Sequence, residues 1–402
     1  MKNHSLLTPI FFIFCPGFIF CHFTVATSTP PYKAVDHIAL NCGTSGNSNP
    51  PDGRNWTGEI GSKYGPTEQN NKSIFSDAQS HSSVGTVPYT TARLSHFQFT
   101  YAFPVAAGPK FVRLYFHSAS YSGYEKSKDF FTVKAGSFTL LGNFSTSDST
   151  ESKSFFKEFC INVEENQILK LTFIPFSSDY YAFINGIEIV SMPIDLYYSQ
   201  KGFIKYEWVP EYVAQAPRFY INYSMALEMV YRLNVGGSLI QPKEDTGMFR
   251  EWSEAIKKYL WSGGTIPRDP SLNPKYSKIP NYTAPDPIYQ SAITMGPNMT
   301  KNMQSNLTWG LRVDTGFKYL LAEDRADVIL WTGSNDTPYY KDYVVMIQNK
   351  GEDTRQLSID LQPRTSEGTL IDAILNGVEV FKLSNPDSHL ARLHMVPPQL
   401  AQ

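Results

Sequence analysis

The sequence predicts an all-β protein built as two tandem antiparallel sandwiches, and three observations lead there. One phrase is written twice: Tyr181–Pro193 reads YAFINGIEIVSMP and Asp372–Ser384 reads DAILNGVEVFKLS. Around both copies, apolar and polar residues alternate at period two, the mark of half-buried strands. Helix signals are scarce, while aromatic residues make up 14% of the chain against 18% charged, a balance suited to pleated surfaces.

Each unit can be followed in order. HIALNCGTSG…DGRNWTG opens the first and YRLNVGGSLI…DTGMFREW the second, each a short strand broken by a glycine turn. Tyr89–His117 then has a partner in Tyr289–Leu320. Next come two strand–turn–strand segments, Lys157–Pro175 and Lys341–Pro363. Leu169, Leu171 and Phe173 alternate with Lys170 and Thr172 in one, and Leu357, Ile359 and Leu361 with Ser358 and Asp360 in the other. The repeated Asn-Gly is expected to be a tight turn joining two strands, because it tolerates positive φ. The clearest helix signal is FREWSEAIKKYLW, where Trp252, Ile256, Tyr259 and Leu260 recur at helical spacing over about two to three turns. This gives a first domain at 34–195, a second at 218–384 and a C-terminal tail at 385–402. The connector at 196–217 is too apolar for a flexible linker, and it is expected to pack between the units.

Residues 1–26 read as a secretory signal peptide: a basic start at Lys2 and His4, the apolar run LLTPIFFIFCPGFIFCHF broken by Pro16 and Gly17, then small residues. An uncleaved anchor is the alternative. Cys15 and Cys21 would leave with the signal, so Cys42 and Cys160 remain either as one disulfide or as two buried thiols. Eight N-x-S/T sequons follow, at Asn55, Asn71, Asn143, Asn222, Asn281, Asn298, Asn306 and Asn335, the last close to Pro338. Together they indicate a glycosylated, secreted or cell-surface protein, held at the plasma membrane if the native product continues into a transmembrane helix. Net charge is −2 with the signs mixed, which argues against a nucleic-acid partner.

The stretches NCG…DGRNWTG, YTTAR, FPV…FVRLYF, FFTVKAGSFTLLGNFS, KEFCINVE and YAFINGIEIVSMP resemble the first malectin-like domain of plant receptor-like kinases of the FERONIA, ANXUR and THESEUS type. YRLNVGG, DTGMFREW, NLTWGLRVDTGFKYL, YKDYVV and DAILNGVEVFKLS resemble the second. The resemblance runs from about residue 34 to 384 and implies two jelly-roll-like β-sandwiches facing the cell wall. It also implies recognition of wall polysaccharide, or of secreted rapid alkalinization factor peptides together with a GPI-anchored co-receptor. The family continues into a kinase, whose G-x-G-x-x-G-x-V, H-R-D and D-F-G motifs are not written in this chain. A ligand-binding ectodomain without its own kinase is the reading that results. The alternative is a secreted decoy that pairs with full-length receptors.

The second unit departs from the family pattern. Phe111 to Lys157 spans 46 residues, whereas the equivalent Phe317 to Lys341 spans 24. At roughly 5–6 residues per strand, about two strands and a turn are missing. The second unit is therefore expected to be rearranged, completed by a partner, or marginal.

A sugar site of the kind malectin has would use aromatic rings to stack on sugar C–H faces and a carboxylate to accept hydroxyls. The positions this resemblance points to are Tyr89, Tyr121, Tyr124, Asp179 and Tyr180. Tyr89 and Tyr180 also suit packing at the sandwich edge, while Tyr121 and Tyr124 flank a glycine in a polar loop and are expected to be exposed. No metal spacing, cofactor motif, nucleophile elbow or placed pair of carboxylates is present in the sequence, so binding is favoured over catalysis.

Overall fold

The computed structural model describes residues 31–68, 73–79, 86–148, 153–202, 208–213, 218–261, 264–325, 336–362 and 372–391. The proposed signal peptide, the sequons at Asn71 and Asn335 and most of the C-terminal tail lie outside the described residues.

Nearly all of the regular structure is strand, with a few short helices. The first unit contains β1 (His37–Ser45), β2 (Trp56–Ile60), β3 (Ile74–Gln79), β4 (Thr91–Ser95), β5 (Phe99–Phe103) and β6 (Gly108–His117). It continues with β7 (Phe131–Ala135), β8 (Phe138–Phe144), β9 (Ser154–Val163), β10 (Leu169–Pro175), β11 (Ala182–Ile184) and β12 (Gly186–Ser191). The second has β13 (Leu227–Asn234), β14 (Leu307–Asp314), β15 (Phe317–Arg325), β16 (Lys341–Ile347), β17 (Thr354–Leu361) and β18 (Ile374–Leu383).

A single sheet of 13 strands runs through both units, in the main order β16-β15-β18-β13-β9-β6-β12-β1-β2. The crossing point is β9 against β13, where Phe159 faces Glu228 and Cys160 faces Leu227. Over this sheet, the first unit lays a second one, β8-β7-β10-β5, and the inward residues of the two form one large apolar cluster. In the second unit the counterpart is the pair β14–β17, and no strand lies between β15 and β16 among the described residues. Trp309 fills the position that Tyr101 holds in the first unit, and both are buried.

The start of the connector is core material. Leu196, Tyr197 and Tyr198 share a buried cluster with Phe111 and Val190 of the first unit and Ile221, Leu227, Leu320 and Phe381 of the second. The start of the tail returns to the first unit, where Leu390 N–H donates to the Thr139 carbonyl and the Leu390 side chain enters the first core.

Three sequence expectations are corrected here. Neither Asn-Gly pair is a turn: Asn185 bridges β11 and β12, Asn376-Gly377 lie inside β18, and none of these residues has a positive φ. The phrase recurs because of what its side chains do. Asn185 Nδ2 donates to the Thr91 carbonyl at 2.7 Å, and Asn376 Nδ2 donates to the equivalent Ser291 carbonyl at 2.8 Å. The NCG and NVG motifs press on the same two loops. A Cβ on Gly43 would lie 2.3 Å from the Ala92 carbonyl oxygen, and one on Gly236 would lie 2.2 Å from that of Ala292.

The second correction concerns the helix, which is a single turn, Ile256–Tyr259. Trp252 instead bridges to Ile240, Ser253–Glu254 pairs beside β13, and Leu260 bridges to Trp309. So short a helix has little stability of its own, and strand pairing takes its flanks.

Third, Cys42 and Cys160 are free, buried thiols. β6 and β12 stand between their strands, and Cys160 lies level with His37 rather than with Cys42, so the two are more than about 14 Å apart at ordinary strand spacing. A disulfide needs Cα atoms within about 7 Å.

The Glu of each repeated phrase has a further partner. Glu379, Arg232, Glu158, Arg113 and Glu188 lie on the neighbouring strands β18, β13, β9, β6 and β12 and alternate in sign. Their successive contacts are 2.5, 2.8, 2.5 and 3.0 Å, and all five side chains are almost wholly out of solvent. Arg54 closes one end on Glu188 at 2.7 Å, and Tyr197 of the connector closes the other on Glu379 at 2.7 Å. Burial alone would raise the Glu158 carboxyl, but Arg232 and Arg113 together outweigh it and hold the group low. The link from Arg232 to Glu158 is the ion pair of this ladder that crosses between the units, and Arg113 Nη2 crosses as well by donating to the Met248 carbonyl at 2.9 Å. Buried pairs of this kind add little net energy but specify how surfaces register.

Candidate functional site

At one end of the first sandwich three loops meet: the turn after β4, the segment between β6 and β7, and the segment between β10 and β11. Tyr124 lies in the second and is half-buried. Its ring stacks on His96 at 4.9 Å and 16°, and meets the edge of Tyr181 at 4.8 Å. His96 Nδ1 donates to the Tyr180 carbonyl at 2.8 Å, so the imidazole ties the first loop to the third. Burial pushes the Tyr124 hydroxyl up, so it stays a neutral donor.

The candidate residues divide. Tyr124 and Tyr180 come together through His96, and Asp179 is exposed beside them. The Tyr180 ring is buried between Phe130 and Phe176, with centroids at 5.8 and 5.7 Å. Tyr121 corrects the expectation of exposure, since it is only 2% accessible. Its hydroxyl donates to the His117 carbonyl and accepts from Asn185 Nδ2, so it completes the network that holds the repeated phrase. Tyr89 stands apart, packed with Trp56 and Tyr115 in a separate cluster. His96 was not found from sequence, because its 28-residue separation from Tyr124 carries no periodic signal. Phe97 and Phe176, each 45% exposed, add apolar surface at this end.

A buried carboxylate anchors the second loop. Asp129 accepts from Ser145 Oγ at 2.5 Å, from Thr146 N–H at 3.1 Å, and from the Thr146 hydroxyl. Burial pushes it up to about 6, against the lowering effect of those hydrogen bonds. A carboxyl raised in the folded state contributes stability that is fully present below its unfolded value and is lost as pH rises through about 6. Relative to Asp129→Asn, the unsubstituted chain is therefore expected to lose stability between about pH 4 and 6, by at most about 3 kcal/mol. Denaturant midpoints at several pH values check this, and a pH-independent difference would refute it.

Among the described residues no group of three or more His, Cys, Asp or Glu is arranged to hold a metal. No helix there is long and apolar enough to cross a membrane. Asn55, Asn281, Asn298 and Asn306 are exposed, while Asn143 and Asn222 are half-buried.

Comparison with known proteins gives the following. The model of the malectin-like domain matches residues 40–383. The receptor-like protein kinase FERONIA of Arabidopsis thaliana is 38% identical over 411 residues, covering 93% of this chain and 45% of FERONIA. The chain thus spans a little under half the length of that relative. Among solved structures, the crystal structure of the plant peptide RALF23 in complex with FER and LLG2 matches at 36% identity and a TM-score of 0.77. That match covers 91% of this chain and all of the other. The ANXUR2 extracellular domain from Arabidopsis thaliana matches at 28% identity and a TM-score of 0.79, covering 90% of this chain and all of the other.

Proposed function

The chain belongs to the malectin-like family, and from that premise we propose that it is the extracellular ligand-binding part of a plant receptor-like kinase. Its proposed ligand is a secreted peptide of the rapid alkalinization factor class, taken together with a GPI-anchored co-receptor. The observation that carries this reading is the likeness, along the full length of the matched chain, to the ectodomain crystallised with RALF23 and LLG2. The continuous sheet and the buried connector support it physically. They present the two units as one preorganised surface, which lowers the ordering cost of binding.

The test is a titration of the secreted, folded chain with such a peptide, with and without the co-receptor ectodomain. Saturable binding that tightens when the co-receptor is added is the expected result. No saturable binding under either condition overturns the proposal.

A second reading, recognition of wall polysaccharide, draws on the Tyr124–His96 stack and the exposed carboxylate of Asp179. The burial of Tyr121 and Tyr180 leaves fewer rings for sugar than the sequence suggested. Tyr124→Ala separates the two ligands, since it should weaken oligosaccharide binding and leave peptide affinity unchanged.

A further inference from the structure

Trp261 is 61% exposed, the most exposed of the large aromatic side chains described, although its backbone is fixed. Its N–H donates to the Thr308 carbonyl at 2.9 Å, and the adjacent Leu260 bridges to Trp309 on β14. Leu260 and Trp309 thus take the core side of this pairing, and Trp261 and Thr308 the outer side. The indole rests over Gly310, where an added Cβ would lie 2.0 Å from Trp261 Cζ2 and 2.3 Å from Gln356 Nε2. The first unit has Ala102 at the equivalent place on β5. A glycine here makes room for an indole laid across the outer face of the β14–β17 pair, with much of its surface left to solvent.

The same outer face begins with a sequon. Asn306, immediately before β14, is exposed, and Asn306-Leu307-Thr308 carries its hydroxyl residue directly across from Trp261. Asn306, Thr308 and Gly310 alternate with the buried Leu307 and Trp309, so they share the outward side. From Asn306 to Gly310 is about 14 Å along a strand, within the span of the first few sugars of an N-linked glycan.

We propose that the glycan on Asn306 folds back along this face and packs a sugar ring on Trp261. The neighbouring polar groups favour a tethered occupant over a free one. Thr308 Oγ1 donates to Asp360 at 2.6 Å, and Arg312 Nε donates to Thr354 at 2.8 Å. Groups already bonded to each other do little to orient a free ligand, whereas the indole offers an unselective apolar surface. Covalent attachment supplies an effective concentration of order mM, enough for weak stacking to be populated. The inference rests on the reading of the chain as a secreted glycoprotein and is independent of which ligand the receptor takes.

The experiment uses the full chain secreted from a glycosylating host. Peptide mass spectrometry first reads occupancy at Asn306, and hydroxyl-radical footprinting then reads oxidation of Trp261. Trp261 should be labelled several-fold less in the glycosylated chain than in Asn306→Gln, with Asn298→Gln matching the unsubstituted chain. Enzymatic removal of glycans from the folded native protein should raise labelling in the same way, which excludes misfolding of the variant as the cause. A bare Asn306 overturns the inference, as does equal labelling of Trp261 with and without the glycan.

Discussion

Replacing Glu158 with Gln should destabilise the folded chain by about 3–5 kcal/mol, a large part of the ~5–15 kcal/mol a typical domain has. Glu158 is wholly buried and accepts from Arg113 Nε at 2.5 Å and from Arg232 Nη2 at 2.8 Å. The amide keeps the shape but removes the charge between two guanidiniums already out of solvent. Arg113 retains Glu188, and Arg232 retains Glu379. Because one of the links between the units is lost, their unfolding should also become less cooperative. Urea unfolding followed by fluorescence and by circular dichroism measures both effects. The exposed Arg355–Glu352 pair is the control, and Glu352→Gln should change stability by about 1 kcal/mol or less. A cost for Glu158→Gln as small as the control's would mean the ladder does not hold the units together.

Asn185→Ala should cost nearly as much, for a different reason. Its amide accepts from the His117 N–H at 2.7 Å and donates to the Thr91 carbonyl at 2.7 Å and the Tyr121 hydroxyl at 2.9 Å, all within the core. Truncation leaves a buried N–H and a buried carbonyl without partners, at about 1–3 kcal/mol each. The equivalent Asn376→Ala should cost less, because Asn376 is half-buried and its shorter bond goes to a single carbonyl, that of Ser291. The order of the two costs is the check. If Asn376→Ala proved the more damaging, this account of the repeated phrase would fail.

The two variants mark where sequence reading stopped. The strand segments around Leu169–Phe173 and Leu357–Leu361 were legible, because alternation along a strand is local and survives in one dimension. The role of Asn-Gly was not. A tight turn is the usual local use of that dipeptide, and only the approach of the 89–92 and 289–292 loops turns its Asn into a bridge. The expected helix failed in the same way, since Trp252 and Leu260 were claimed by bridges to Ile240 and Trp309. At the candidate site, Tyr124 and Asp179 could be named from the resemblance. That Tyr121 turns inward and that His96 stacks on Tyr124 depended on how three distant loops close over the sandwich end.

What the sequence determined by itself was the class and the plan: two similar β units, an apolar connector, and a resemblance to the malectin-like family, to which the chain belongs. The first two follow from local composition, period and repetition, and the third from motifs that stand in the same order along the chain. The union of the units was decided only by the tertiary structure. Glu188 and Glu379 read as ordinary strand carboxylates until five strands from both units align, and only that alignment sets Arg113 and Arg232 between them. The physical reason is that charge complementarity acts across strands. The residues that satisfy one another there lie from 45 to 147 positions apart in the chain, a separation at which no periodicity survives.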